Sequence, residues 1–147
     1  MKKILFVCTA NTCRSPMAEG FLNYEAKKNK LDIHASSAGT HAFFEMSASE
    51  NSIDSMKKYN IDISEHKSKT VTKELIEKFD LILGMTDEHS QELIKKFPCY
   101  KEKIYTFSKY VKENLDIADP YGASSDVYMR QCDQIKFYIE KLIKIIL

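Results

Sequence analysis

Glycine and proline are scarce and tryptophan is absent: 147 residues contain four glycines and three prolines. So few chain-breakers exclude a flexible Gly/Pro linker or a low-complexity tract. No internal repeat is visible, and a chain of this length fits around one buried core, so a single domain over residues 1–147 is expected. No charge of one sign dominates, because 22 basic side chains face 21 acidic ones and the net charge is +1. A chain this balanced has no broad field to hold nucleic acid or an anionic membrane, so neither is an expected partner and any anion must be bound at a local site. The four cysteines, Cys8, Cys13, Cys99 and Cys132, are too few and too scattered for the disulfide frame of a small secreted protein. Reduced thiols are expected. Long apolar runs are also missing: Lys2 and Lys3 before Ile4–Val7 imitate a secretory leader, but the run falls short of the ~7–15 apolar residues such a leader carries. No later stretch reaches the ~20 residues of a membrane span, and a cytoplasmic location is expected. His34, His41, His66 and His89 show neither HExxH nor another compact ligand spacing, so neither metal nor cofactor is expected.

What is present alternates. Short apolar runs at Ile4–Val7, Ile33–Ser36, Leu81–Met85 and Ile104–Phe107 read as buried strands separated by stretches of helical spacing. That order predicts an α/β fold, a single open parallel four-stranded sheet with helices on both faces, where ligands bind at the carboxyl ends of strands. A first helix is expected from Ser15 as N-cap with Pro16 at its first position, turning Met17, Phe21 and Tyr24 to one face. Ser47-Ala48-Ser49-Glu50 has the form of a capping box ahead of a second helix that carries Ile53 and Met56 inward. Further helices are expected near Thr72 and Thr86. The last shows the clearest stripe, with Tyr128, Cys132, Ile135, Ile139, Leu142 and Ile146 at alternating spacings of four and three.

Chemistry concentrates after the first strand, in Cys8-Thr9-Ala10-Asn11-Thr12-Cys13-Arg14-Ser15. A phosphate-binding loop between a strand and a helix N-terminus turns successive backbone N–H groups inward, and the helix dipole reinforces that nest. The same potential favours an anionic sulfur at Cys8, and a thiolate is a nucleophile. Arg14 offers a planar fork able to hold two phosphoryl oxygens at once. Ser15 can donate its hydroxyl to the Cys8 sulfur, and Asn11 can brace the loop through its amide. Cysteine and arginine at this spacing arise often by chance; the strand before them and Ser-Pro opening a helix after them supply the context the chemistry needs.

From Val7 through Glu19 the chain resembles the low-molecular-weight protein tyrosine phosphatases, and the resemblance continues through Ser37-Ala38-Gly39-Thr40, Leu83-Gly84-Met85-Thr86 and Asp119-Pro120-Tyr121-Gly122. Nearly the whole chain is covered. The resemblance implies that Cys8 forms a cysteinyl-phosphate and that Asp119 protonates the leaving group and then activates water. It also implies that Cys13 can form a reversible disulfide with Cys8, protecting it from over-oxidation. Thr9, Ala10, Asn11, Thr12, Cys13, Ser15 and Tyr121 then complete the phosphate and substrate site. One departure stands out: the family usually has glycine where this chain has Ala10, which raises the question of a positive φ there.

Within the family, the protein arginine phosphatase branch carries threonine at the position of Thr12, where tyrosine-specific members usually carry an aliphatic residue. This chain also resembles that branch in Cys8-Thr9 and in Tyr105–Val111. Phosphorylated proteins are the expected partners, on phosphotyrosine or phosphoarginine, with Thr12 favouring phosphoarginine because a small polar side chain leaves room for a guanidinium leaving group. The simpler reading of Thr12 is packing under the loop. Tyr121 suits stacking on an aromatic substrate but is compatible with either, and Phe43 and Phe44 either wall the pocket or pack under their own loop. Arsenate reductases use the same loop with resolving cysteines after the third strand, but Met85-Thr86-Asp87-Glu88-His89 has none. A phosphoprotein-binding module without turnover would have no need of Cys8 and Asp119 together. A monomer or weak self-association is expected.

Overall fold

The structure, a computed structural model, describes residues 1–147. In chain order the elements are β1 (Lys2–Cys8), α1 (Arg14–Lys28), β2 (Ile33–Gly39), α2 (Glu50–Lys57), α3 (Lys73–Lys78), β3 (Leu81–Gly84), α4 (Asp87–Lys96), a 3₁₀ turn (Pro98–Lys103), β4 (Ile104–Thr106), α5 (Phe107–Tyr110) and α6 (Ser125–Ile146). The four strands form one parallel sheet in the order β2-β1-β3-β4. The chain leaves β1 for a neighbour on one side and later returns to its other side. The carboxyl ends of β1 and β3 therefore lie at the switch point where such sheets bind ligands.

Period-two alternation explains the two layers. Ile4, Phe6 and Cys8 of β1 join Leu81 and Leu83 of β3 in a core with Met17 and Phe21 of α1, Met56 of α2, Phe107, and Cys132, Ile135 and Ile139 of α6. Leu5 and Val7 point the other way, to Ile76, Phe79 and Leu93 around α3 and α4. Both faces of the central strands are thus buried, which is why they read as continuous apolar runs. No helix is long and apolar enough to cross a membrane.

Several local expectations shift. Helix α1 begins at Arg14 with Cys13 as N-cap and no side-chain cap; Ser15 lies inside its first turn, and its hydroxyl serves the site instead. Tyr24 is 37% exposed, because α1 has covered its inner face with Met17, Phe21 and Leu22 before the stripe reaches it. Ser49 rather than Ser47 caps α2, accepting the Ser52 N–H. Ile53 and Ile146 are only half-buried at the margin of the core. Thr72 and Thr86 cap α3 and α4 as their positions suggest. The 3₁₀ turn and the four-residue α5 carry no periodicity long enough to be read in advance.

Candidate active site

β1 ends at Cys8 and α1 starts at Arg14, so five residues must turn the chain through the end of the sheet. The turn is made at Asn11, whose φ is 59°. Asparagine tolerates this left-handed region better than other residues with a Cβ. Ala10 does not occupy it, which answers the question raised by the missing glycine.

The loop's carbonyls, except that of Ala10, are engaged by surrounding residues. Cys8 O accepts the Thr40 N–H at 2.9 Å, Thr9 O the His41 N–H at 2.9 Å, and Thr12 O the Ser49 N–H at 2.8 Å. Asn11 O lies 2.7 Å from His66 Nε2, and Cys13 O accepts from Ser52 Oγ at 3.4 Å. The N–H groups of Thr9 through Cys13 donate to nothing within the chain, and α1 leaves its first-turn N–H groups without a side-chain cap. Backbone donors without acceptors at a helix N-terminus form an electropositive cradle. Gly39 permits the close packing behind it, since a Cβ there would meet Thr9 O at 2.4 Å.

Cys8, 2% exposed, lies at the base of this cradle, with its Sγ 2.9 Å from Ser15 Oγ. The direction of that bond follows from the neighbours. The Lys69 N–H donates to Asn11 Oδ1 at 3.0 Å, so the other amide atom is Nδ2, which donates to Ser15 Oγ at 2.8 Å. The serine oxygen is thus an acceptor there, which leaves its own O–H free for the sulfur. Arg14 is 4% exposed; its Nη1 donates to Ile117 O at 3.0 Å, which ties the guanidinium to the segment leading to Asp119.

That segment is anchored on the sheet. Ile117 N–H donates to Met85 O at 3.0 Å. Asp116 accepts the Asp87 N–H through Oδ2 at 2.8 Å and Ser108 Oγ through Oδ1 at 2.7 Å. Gln131 Nε2 donates to Ala118 O. Asp119 Oδ1 accepts the Tyr121 N–H at 3.0 Å. Cys8 through Arg14, Asp119 and Tyr121 together line a cavity of about 110 Å³. Every site residue read from the sequence therefore lines this cavity except Ser15, which supports the sulfur from below. Phe43 and Phe44 are 71% and 80% exposed and lie outside its lining. Tyr121 is 84% exposed at the rim. Cys13 Sγ lies 3.4 Å from Ser49 Oγ and 3.5 Å from Tyr128 OH, and burial pushes the Tyr128 phenol up to about 12.

Two histidines escaped the sequence reading. His66 reaches Asn11 O from 55 positions away, and nothing local announces it. His89 stands three residues after the Thr86 cap, where a capping box places its returning side chain, and that spacing could have found it. His89 Nδ1 accepts the Thr86 N–H at 3.2 Å. The ring proton is therefore on Nε2, which donates to Thr9 Oγ1 at 2.8 Å. Burial, and next the charge of Arg14, hold this imidazole neutral, lowering its pKa to about 4. A second cavity, of about 340 Å³, adjoins the first and shares Thr9, Arg14 and Asp119 with it. No three His, Cys, Asp or Glu side chains converge to share a metal ion.

A cradle of this form suits a tetrahedral oxyanion beside the Cys8 sulfur. Residues 3–146 match the family described as low molecular weight phosphotyrosine protein phosphatase. A protein-arginine-phosphatase of Bacillus subtilis is 36% identical over 142 residues, covering 96% of this chain and 94% of that protein. The low molecular weight protein-tyrosine-phosphatase PtpB of Staphylococcus haemolyticus is 40% identical over 143 residues, covering 95% and 96%. The YwlE arginine phosphatase, solved as a mutant with a phosphorylated active-site serine, superposes with a TM-score of 0.92 at 35% identity, covering 97% of this chain and 93% of that one. The chain is an enzyme that belongs to the low molecular weight phosphotyrosine protein phosphatase family.

Proposed function

We propose that this phosphatase acts on phosphorylated proteins through a cysteinyl-phosphate on Cys8. The observation that carries this reading is the cradle itself: five consecutive backbone N–H groups without acceptors, next to a sulfur whose Sγ lies 2.9 Å from the Ser15 hydroxyl oxygen. The anionic sulfur attacks phosphorus in line, forming the S–P bond as the bond to the leaving oxygen or nitrogen breaks. Arg14 and the loop N–H groups hold the equatorial oxygens, whose charge they stabilise most in the transition state. Asp119 gives its proton to the leaving group, then takes one from the water that attacks phosphorus and releases phosphate. The phosphorylated active-site serine of the related arginine phosphatase supports a covalent intermediate at this position.

For the substrate, we read phosphoarginine as favoured over phosphotyrosine. Thr12 lines the loop cavity and is half-buried, and a protein-arginine-phosphatase is among the relatives aligned over nearly the full chain. PtpB, named as a tyrosine phosphatase, keeps phosphotyrosine as the second reading. Cys13 is proposed as the resolving partner of Cys8 under oxidation, in a reducing cytoplasm that restores both thiols.

Burst and steady-state phosphate release from phosphoarginine and phosphotyrosine peptides tests this. Cys8→Ser is expected to lower turnover at least about a thousandfold, and Asp119→Ala by roughly 10²–10⁴. Thr12→Ile is expected to move preference toward phosphotyrosine. Wild-type preference for phosphotyrosine would reduce Thr12 to packing, and an active Cys8→Ser would end the covalent scheme.

A further inference from the structure

One buried side chain beside the site has no part in the chemistry above. We propose that His89 is a positioning residue of the phosphate-binding loop, holding Thr9 against α4 so that the loop N–H groups are set before substrate arrives. The inference rests on the phosphatase reading. His89 helps line the second cavity but not the loop cavity, so it acts through Thr9 rather than on the phosphoryl group.

The loop shows why this bond matters. Its second half is pinned by the bonds to Asn11 O, Thr12 O and Cys13 O. Ala10, by contrast, neither donates nor accepts a backbone bond within the chain. Thr9 is therefore the last anchored residue before the chain crosses to Asn11. It is held by two contacts, its carbonyl to the His41 N–H at 2.9 Å and its hydroxyl to His89 Nε2 at 2.8 Å.

The ring performs two tasks with two nitrogens. Nδ1 accepts the Thr86 N–H and closes the cap of α4, while Nε2 donates to Thr9. Both bonds require the neutral Nε2–H tautomer, since a proton on Nδ1 would face the Thr86 N–H, donor against donor. The charged and titratable groups around the ring are Arg14 from α1, His41 after β2, and Asp116 and Asp119 before α6. Glu88 and Glu92 of α4 line the same cavity.

Two substitutions separate these tasks. An asparagine oxygen falls near the place of Nδ1, and a glutamine amide nitrogen near that of Nε2. His89→Asn is expected to keep Tm near wild type but to weaken inorganic phosphate binding, measured by calorimetry, roughly 3- to 10-fold. His89→Gln is expected to lower Tm yet keep phosphate affinity within about twofold. Thr9→Val should weaken phosphate as His89→Asn does, and the double variant should be no worse than either alone, as bonded partners behave. If His89→Asn binds phosphate as wild type does, or if affinity follows Tm across the variants, His89 is only a helix cap. Wild type that binds phosphate and turns over p-nitrophenyl phosphate while the variants break this pattern overturns the positioning role alone. Wild type that does neither overturns the phosphatase reading as well.

Discussion

At the scale of single residues, the site depends on side chains that each satisfy two demands. Arg14 donates to Ile117 O while lining the loop cavity. A lysine offers one point charge and cannot keep the carbonyl bond and also match two phosphoryl oxygens. Arg14→Lys is therefore expected to lower kcat/KM by roughly 10²–10³, measured on the preferred phosphopeptide, with the folded state retained by circular dichroism. His89 gives a pH dependence of stability. Between its ordinary value of 6.5 and its folded value of about 4, the unfolded chain binds a proton that the folded chain refuses. Stability is then complete above that window and falls as pH drops through it, by up to about 3 kcal/mol at pH 4. Urea unfolding at pH 7 and pH 4.5 should show a smaller difference for His89→Asn than for wild type; equal differences would mean that the ring is not held neutral. Cys8, Arg14 and Ser15 were legible because the loop that joins them is short. His66 was not, because its partner lies 55 positions away; the cap spacing of His89 was readable, but its bond to Thr9, 80 positions away, was not.

Among the elements, the difference between a good helix start and a good anion site is instructive. Ser15 before Pro16 has the sequence of an N-cap, and in isolation it would serve as one. Here α1 starts two residues earlier without a side-chain cap, and the serine's hydroxyl lies against the Cys8 sulfur. The helix forgoes about 1 kcal/mol of capping and keeps its first N–H groups for a ligand. Strand positions and the caps at Thr72 and Thr86 were readable because they depend on near neighbours. The start of α1 was not, because function competes there with propensity. The β2 end is equally constrained: the Cβ of Gly39→Ala would press on the Thr9 carbonyl. That variant is expected to lose phosphate affinity roughly tenfold or more by displacing the loop, with a smaller change in Tm; unchanged affinity would mean that the loop yields freely.

For the molecule as a whole, the sheet order and both cores follow from the alternation of short apolar runs with helical stripes. α6 closes the larger core with Cys132, Ile135, Ile139 and Leu142, all at 0% exposure. Leu142→Ala is expected to cost about 2–5 kcal/mol of unfolding free energy through lost burial and a cavity. Below its melting temperature the variant should keep wild-type KM, because Leu142 belongs to the core rather than to the cavity at the switch point. A changed KM would show that the core sets loop geometry. The engaged carbonyls of the loop have a further consequence. Bonds to surrounding residues hold the cradle in shape before any substrate enters, so the fit of its backbone donors is to the oxyanion, whatever Thr12 adds in choosing the group attached to it. Free phosphate, the reaction's own product, meets the same donors at no cost of rearrangement. Inorganic phosphate is therefore expected to compete with the phosphorylated substrate for the loop, raising the apparent KM while leaving kcat unchanged.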